Sequence, residues 1–262
     1  MNKLRENKLL VTDLDGTFVF NSTAVTEEDL AAFNYLSQNI YTAVATGRSI
    51  KEITHIEMEN DIKLDYRIGF NGALVTNQEG DILHDQPIPK EKLEKLFAFI
   101  KKKKLIFDAL DGKERIGNFE HENPDSLWNM NLVCVEDPYS ILEGKKIYKI
   151  NLRPDKKITD QLYKELKENF SDLSIYKTGG SRIEITDEGI SKGIALDFCK
   201  LNERTEILAV GDSENDISMF KAANVSYCLK HATNKVSKNA TILIDRFADL
   251  QEMNLSLPNK MS

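Results

Sequence analysis

Short apolar runs alternate with longer amphipathic segments towards both ends of the chain. The apolar runs have the length of strands, and they span residues 8–14, 41–47, 65–72, 206–212, 224–229 and 239–245. The amphipathic segments have the length of helices, and they span residues 26–38, 49–60, 191–202 and 215–223. Strands that alternate with helices are typical of a parallel sheet covered by helices, so the pattern predicts an α/β fold.

The middle of the chain, from about residue 83 to residue 187, has a different pattern. It reads as pairs of strands with two helices, which span residues 89–103 and 154–170. We therefore predict a discontinuous core domain, residues 1–82 with 188–262, interrupted by an inserted α/β domain at 83–187. The predicted fold class is a Rossmann-like parallel-sheet core that carries this insertion.

Composition and charge narrow the possible partners. The 262 residues include 41% hydrophobic side chains, enough for a packed protein, and carry a formal net charge of -7. A negative chain is a poor partner for nucleic acid, whose phosphates select basic surfaces. No apolar stretch is long enough to cross a bilayer, and the three cysteines lack metal-type spacing. We expect a cytoplasmic protein, a monomer or homodimer, with no nucleic-acid or membrane partner.

Four polar stretches follow predicted strands or open predicted helices. They read VTDLDGT (11–17), ATGRS (45–49), ISKG (190–193) and VGDSEND (210–216). In open α/β folds, ligands bind in the crevice at the carboxyl ends of the strands. Because all four stretches fall at this edge of the predicted sheet, we expect them to form one site suited to phosphate and magnesium.

Asp13 and Asp15 stand one residue apart after the first strand, and Gly16 allows a sharp turn there. Each carboxylate disfavours the ionisation of the other, and a divalent cation would offset that crowding. One carboxylate could attack phosphorus as a nucleophile, while the other could act as general acid and base. An Asx-turn that merely ends the strand is the alternative interpretation.

Two further stretches offer groups for phosphate. The Thr46 hydroxyl, the Gly47 backbone and the start of the next helix could hold phosphate oxygens. Lys192 stands at a helix start, where the dipole prefers acids, so a nearby anion would explain it. This lysine could also neutralise charge that develops in phosphoryl transfer. An ordinary helix cap and a solvated lysine are the alternatives, and Arg48 fits either a substrate contact or a surface ion pair.

The last stretch adds Asp212 and Asp216, whose carboxylates are hard oxygen donors of the kind that magnesium selects. Ser213 and Asp216 could instead cap the following helix. That alternative leaves Asp212 without a role.

The four stretches, taken in this order, resemble the four motifs of the haloacid dehalogenase-like hydrolase superfamily in their segments DLDGT, ATGR, SKG and GDSEND. The segment IGFNGA (68–73) is similar to one that is typical of the Cof-type subfamily, class IIB. That subfamily inserts a large α/β cap between the second and third motifs, as region 83–187 does here. The resemblance covers nearly the whole chain.

The resemblance implies that Asp13 is the nucleophile and that Asp15 is the general acid and base. It also implies a magnesium ion, Mg2+, bound by the Asp13 carboxylate, the Asp15 backbone carbonyl and Asp212, with Asp216 supporting those ligands. The residues that it implies for gripping the transferred phosphoryl group are Thr46, Gly47, Lys192 and Asn215. The residues that it implies on the substrate side are Arg48 and Asn71.

The sequence departs from the family pattern at Lys230-His231-Ala232, where relatives often have a Gly-Asn-Ala turn. We expect His231 to be a solvent-facing residue of this turn, and a contact with the substrate is the alternative. Within the cap, the candidates for reading the leaving group are Arg115, His121, Trp128 and Lys177. Trp128 is more simply interpreted as a packing residue.

The leading hypothesis is a magnesium-dependent phosphatase for a small phosphorylated metabolite, either a sugar phosphate or a phosphorylated cofactor. It would act through an aspartyl-phosphate intermediate. A phosphomutase is the alternative within the same chemistry, since it would shield the intermediate from water. A phospho-accepting signalling module is a more distant alternative, because Asp15 supplies an acid and base that a long-lived acyl phosphate does not need.

Overall fold

The structure is a computed structural model that describes residues 5–20, 23–121, 127–178 and 181–253. Its strands are β1 (Lys8–Thr12), β2 (Tyr41–Ala45), β3 (Tyr66–Gly69), β4 (Leu74–Asn77), β5 (Ile82–Asp85), β6 (Phe107–Leu110), β7 (Glu114–Gly117), β8 (Asn131–Cys134), β9 (Lys149–Leu152), β10 (Leu173–Thr178), β11 (Arg182–Asp187), β12 (Glu206–Gly211), β13 (Val225–Leu229) and β14 (Ile242–Ile244). Its α-helices are α1 (Glu27–Ser37), α2 (Ile50–Glu59), α3 (Lys90–Lys103), α4 (Tyr139–Leu142), α5 (Thr159–Asn169), α6 (Lys192–Ala195), α7 (Ile217–Ala222) and α8 (Asn234–Ser237).

The first sheet contains eight strands in the order β14-β13-β12-β1-β2-β3-β4-β5. The pairs from β14 to β3 are parallel, whereas β4 and β5 add an antiparallel edge. The predicted α/β class with a parallel-sheet core is confirmed. The sequence pattern did not predict the antiparallel edge. Three of the four residues of β5 are exposed, and the strand carries no apolar alternation that would mark it.

Both faces of the first sheet are buried, which explains why its strands read as continuous apolar runs. Along β1, Leu10 packs into one cluster with Val44 and Leu208. Leu9 and Val11 point the other way and pack into a second cluster. β1 therefore lies in the middle of the sheet, and its carboxyl end, which carries the first motif, opens into the central crevice.

The second sheet contains six strands in the order β10-β11-β9-β6-β7-β8. Helices α3 and α5 cover one face, where Leu96, Leu166 and Ile150 belong to a single hydrophobic cluster. All six strands fall inside the range 83–187, while β5, which spans residue 83, belongs to the first sheet. The division of the chain into domains at these exact residues stays a prediction.

The helix expected over residues 191–202 is shorter in the structure. Its α-helical part, α6, ends at Ala195 and continues as a 3-10 turn over Leu196–Cys199. Within the described ranges, no helix combines the length and the apolar character needed to cross a membrane.

Candidate active site

Four charged side chains from both halves of the chain meet at the carboxyl edge of the first sheet. Lys192 Nζ donates to Asp13 Oδ1 at 2.6 Å and to Asp216 Oδ1 at 2.7 Å. Asp13, Asp212 and Asp216 each offer a carboxylate oxygen, and these oxygens lie within 4.8 Å of one another. The sequence separation between Asp13 and Lys192 is 179 residues, so only folding brings them together.

Asp15 turns away from this cluster. Its carboxylate accepts from Arg48 Nη2 at 2.6 Å and from Arg48 Nε at 2.8 Å, in the bidentate geometry that arginine favours. The expectation that a divalent cation offsets the charge of Asp13 and Asp15 stays a prediction. Each acid has its own cation, Lys192 for Asp13 and Arg48 for Asp15.

The turn after β1 requires glycine. Gly16 has φ +85, a left-handed conformation that other residues adopt only with strain, and a Cβ there would lie 2.8 Å from Asp212 Oδ2. Gly16 therefore permits both the sharp turn and the close approach of Asp212. Thr17, which follows in the same turn, donates from Oγ1 to Asp212 Oδ1 at 3.1 Å.

Asp216 has a structural role as well as a charge. Its Oδ2 accepts from the backbone N–H groups of Asp212, at 3.0 Å, and Ser213, at 2.8 Å. Its Oδ1 accepts from Lys192. The local cap that the sequence left as an alternative is thus present, and it fixes the backbone that carries Asp212.

Lys192 is almost fully buried, with 1% of its surface exposed, so the solvated-lysine alternative is wrong. Burial by itself lowers the pKa of Lys192, but Asp13 and Asp216 outweigh it and raise that pKa above its usual value. Burial raises the pKa of Asp13, and the Lys192 ammonium opposes that effect. Lys192 therefore stays charged and supplies the positive charge that a buried Asp13 carboxylate needs.

The ATGRS stretch connects β2 to α2. Ser49 is the N-cap of α2: its Oγ accepts from Glu52 N at 3.1 Å, while Glu52 Oε2 accepts from Ser49 N at 2.8 Å. Two N–H groups at this helix start are therefore already occupied. Thr46 and Gly47 line the cavity described below, and their expected contacts with phosphate stay a prediction.

Two asparagines link the first sheet to the second. Asn215 Nδ2 donates to Asn71 Oδ1 at 3.0 Å, and Asn71 Nδ2 donates to Glu184 Oε2 at 3.0 Å. Asn71 holds a left-handed backbone conformation with φ 59, which asparagine tolerates well. Lys149 Nζ donates to the Gly47 carbonyl oxygen, so a second contact crosses between the sheets.

A cavity of about 770 Å3 lies between the two sheets, within the size range of small-ligand sites. Its wall on the first sheet includes seven of the residues predicted from the motifs: Asp13, Asp15, Thr46, Gly47, Arg48, Asp212 and Asn215. Lys192, Asn71 and Asp216 lie buried behind that wall. Of the candidates from the second sheet region, Arg115, His121 and Lys177 line the cavity.

Several residues of the cavity were missed from the sequence. They are Lys149, Asn151, Arg153, Arg182 and Glu184. The sequence contained a signal for them. The segment KINLR (149–153) alternates polar and apolar residues, which is typical of a strand with one polar and one buried face. The opposite, apolar positions Ile150 and Leu152 are fully buried under the covering helices.

Trp128 is a packing residue, as the simpler interpretation had it. It is 2% exposed and belongs to the hydrophobic cluster of the first sheet, together with Phe18 and Ile53. The Arg48 guanidinium carbon lies 3.1 Å from the Trp128 ring centroid. Trp128 therefore supports the arginine that holds Asp15.

His231 is more than a solvent-facing turn residue. About half of its side chain is exposed, but it lines the cavity, and its Nε2 lies 3.1 Å from Asp212 Oδ2. The side chain is therefore exposed in a turn, as expected, and the turn after β13 also faces the same crevice as the turn after β12.

Known proteins match this chain over most of its length. A family model described as haloacid dehalogenase-like hydrolase matches residues 10–249. A 5-amino-6-(5-phospho-D-ribitylamino)uracil phosphatase of Bacillus subtilis is 24% identical over 246 residues, which cover 91% of this chain and 90% of that protein.

Solved structures show the same fold. A haloacid dehalogenase-like hydrolase from B. subtilis has a TM-score of 0.83 at 22% identity, covering 95% of this chain and 100% of its own. A sugar phosphatase described as HAD subclass IIB has a TM-score of 0.74 at 20% identity, covering 93% and 95% of the two chains.

The chain belongs to the haloacid dehalogenase-like hydrolase family. The predicted Cof-type assignment is confirmed, and so is the prediction of an enzyme of this family, whose named relatives include phosphatases.

Proposed function

We propose that this protein is a magnesium-dependent phosphatase that hydrolyses a small phosphorylated metabolite through an aspartyl phosphate on Asp13. The observation that carries the proposal is the buried arrangement of Asp13, Lys192 and Asp216, with Asp212 beside it. Asp13 and Asp212 of this group line the cavity. A nucleophilic carboxylate, a fixed ammonium and further hard oxygen donors are what phosphoryl transfer requires.

In this proposal, an Asp13 carboxylate oxygen attacks phosphorus while the ester oxygen leaves. Asp15 donates a proton to that leaving oxygen and later removes one from the water that hydrolyses the aspartyl phosphate. Arg48 holds the Asp15 carboxylate at the cavity wall, where it can reach the leaving group. Lys192 stabilises the negative charge on the phosphoryl oxygens and on Asp13.

The donor set fits magnesium, because Asp13 and Asp212 offer hard carboxylate oxygens in one place. The Asp15 backbone carbonyl would complete the protein ligands. Asp216 fits a supporting position, since both of its oxygens already accept hydrogen bonds. When bound, the ion would offset charge on the transferring phosphoryl group.

The proposed substrate is a small phosphate ester, such as a sugar phosphate or a phosphorylated cofactor precursor. Two observations support this class: the cavity volume of about 770 Å3, and the phosphate esters named for relatives with the same fold. Thr46, Gly47, Lys192 and Asn215 are the residues proposed to hold the transferring group.

The proposal is tested by phosphate release from p-nitrophenyl phosphate, with and without magnesium, in wild type and in Asp13→Asn. Asparagine fills the same volume but cannot attack phosphorus, so we expect turnover to fall by at least about 10³-fold while the fold persists. Asp197→Asn, which removes an exposed aspartate, is the matched control and should keep full activity.

Retention of activity in Asp13→Asn would refute the nucleophile. Phosphoryl transfer to an added sugar acceptor, in place of phosphate release, would instead identify a phosphomutase.

A further inference from the structure

The polar face of the second sheet carries more cations than carboxylates. Three strands, β7, β9 and β11, and the residue that follows β9 contribute four cations, which are Arg115, Lys149, Arg153 and Arg182. All four line the cavity. The carboxylates that pair with them on this sheet are Asp108 and Glu184.

Each of these two carboxylates is shared between two cations. Asp108 accepts from Arg115 Nη1 at 3.2 Å and from Arg153 Nε at 3.1 Å. Glu184 Oε1 lies 3.2 Å from Lys149 Nζ and 3.3 Å from Arg182 Nε. Two positive charges of the face are therefore left without a counter-charge of their own.

Glu52 of α2 restores only part of the balance. Its Oε1 lies 3.6 Å from Arg115 Nη2, but the same oxygen accepts from Arg48 Nη1 at 3.2 Å. Because Asp15 already compensates Arg48, Glu52 can offset one of the two charges, and one positive charge of the second sheet remains in excess.

Burial and the neighbouring positive charges both act on the pKa values of these cations. Burial lowers the pKa of Lys149, and the neighbouring Arg182 and Arg115 lower it further, against the opposing effect of Glu184. Burial likewise lowers the pKa of Arg153, with Arg182 and Arg115 adding to that effect. The cations repel one another, so an anion placed among them would relieve an unfavourable interaction.

Two of these arginines also have buried donors that make no hydrogen bond to any residue that the structure describes. They are Nε of Arg115, a residue only 7% exposed, and Nη2 of Arg153. Buried polar groups of this kind usually have a partner, and a carboxylate or phosphate is the one that guanidinium binds best. Asn151 Oδ1, on the same face, is likewise buried without a hydrogen-bond partner among the described residues.

We propose that the substrate carries a second anionic group, a carboxylate or a phosphate, on its leaving-group side, and that Arg115, Arg153 and Arg182 bind it. This inference rests on the phosphatase function proposed above and narrows its substrate class. The reacting phosphate would occupy the wall that holds Asp13 and Thr46, and the second anion would occupy the wall formed by the second sheet.

The test compares three esters with the same open six-carbon chain: glucitol 6-phosphate, 6-phosphogluconate and glucitol 1,6-bisphosphate. They differ at the far end, which is a hydroxymethyl group, a carboxylate or a phosphate. We expect kcat/KM for at least one of the doubly anionic esters to exceed that of glucitol 6-phosphate by about tenfold or more, as a charge-assisted hydrogen bond allows. The ester with the higher kcat/KM shows whether a carboxylate or a phosphate is the preferred second group.

Arg153→Gln should reduce that preference about tenfold, and Arg182→Gln provides a second variant of the same face. Arg204→Gln is the matched control, because it removes the same charge from an exposed residue that does not line the cavity. The control should leave the preference unchanged. Equal losses for all three esters in Arg153→Gln would overturn the proposal, since the arginine would then serve the reacting phosphate.

Suppose that wild type hydrolyses p-nitrophenyl phosphate but has nearly equal kcat/KM values for the three esters. That result would overturn this inference and leave the proposed function intact. If neither p-nitrophenyl phosphate nor any of the three esters is hydrolysed, the proposed function fails. The inference about the second anion is then tested by binding alone. Thermal shifts of the Asp13→Asn variant with each ester then measure the preference without turnover, and equal shifts for the three esters would refute it.

Discussion

At the scale of single residues, the site depends on how buried charges are paired. Lys192 lies between Asp13 and Asp216, and all three side chains are almost completely buried. A buried ion pair is a weak source of net stability, but removing one partner leaves an uncompensated charge in a poorly solvated place. The charge proposed to act in catalysis therefore also contributes to the folding free energy at this residue.

Replacing Lys192 with methionine should lower the free energy of unfolding by about 3–5 kcal/mol, because Asp13 and Asp216 would keep no cation. Urea unfolding in the presence of a chelator measures the change. Lys200→Met is the matched control, since that lysine pairs at the surface with Asp197 and should change stability by less than about 1 kcal/mol. If both variants lose less than about 1 kcal/mol of unfolding free energy, the buried charge of Lys192 does not contribute to stability as argued.

Glu184 predicts a dependence of stability on pH. Burial alone would raise its pKa, but Lys149 and Arg182 outweigh burial and lower the pKa to about 2, against an ordinary value of 4.5. A depressed folded-state pKa stabilises the fold above the ordinary value and loses that effect as the pH falls towards 2. The contribution is about 3 kcal/mol.

The difference in unfolding free energy between wild type and Glu184→Gln should therefore narrow as the pH falls from 5 towards 2. Denaturant unfolding at several pH values measures it. A difference that stays constant over this range would show that Glu184 is not held ionised by its neighbours.

At the scale of elements, close packing of short helices positions Lys192. Helix α6 begins at Lys192, and its next residue, Gly193, faces α7 so closely that a Cβ would lie 2.3 Å from the Ser218 carbonyl oxygen. Gly193 N also donates to Ser218 Oγ at 3.1 Å. Glycine at this position lets α6 approach α7 and holds Lys192 at the two acids.

Gly193→Ala should therefore separate α6 from α7, lower stability by about 1–3 kcal/mol and reduce kcat more than it affects KM. Phosphate release and thermal unfolding of the same variant test both effects. Ile194→Ala is the control within the helix, because Ile194 is 53% exposed and its truncation should alter neither quantity much. Full activity and stability in Gly193→Ala would disprove the packing argument.

At the scale of the whole molecule, the site exists only because the two ends of the chain share one sheet. β1 lies between β12 and β2, so Asp13 after β1 and Asp212 after β12 reach the same edge. The second sheet then closes the cavity through contacts of Lys149 with Gly47 and of Glu184 with Asn71. An ion bound by Asp13 and Asp212 would link the two parts of the first sheet.

Magnesium should therefore stabilise the whole fold. At a concentration of about 100 Kd, a ligand that binds the native state alone adds about 2.7 kcal/mol. We expect magnesium chloride to raise the Tm of wild type and to raise that of Asp212→Asn much less, with potassium chloride of equal ionic strength as the control. Equal shifts in the two proteins would exclude Asp212 as a ligand.

The regular elements of the first sheet were predictable because they depend on local pattern. Thr26 opens α1 as its N-cap, and β1, β2, β12 and β13 carry apolar runs that only a strand buried on both faces explains. The edge strand β5 was missed because Ile82 and Leu83 are exposed and no buried partner marks them. The polar face of β9 was missed because alternation along a strand does not say whether the polar face meets bulk solvent or a cavity.

The sequence by itself determined the family, the α/β class and the residues that carry the motifs, because these are properties of neighbouring positions along the chain. Tertiary structure alone decided how the charges pair: Asp15 with Arg48, 33 residues away, and Asp13 with Lys192, 179 residues away. It also gathered arginines from separate strands into one cationic wall. The physical reason is that Coulomb interactions and burial depend on distances in space, which sequence separation does not specify.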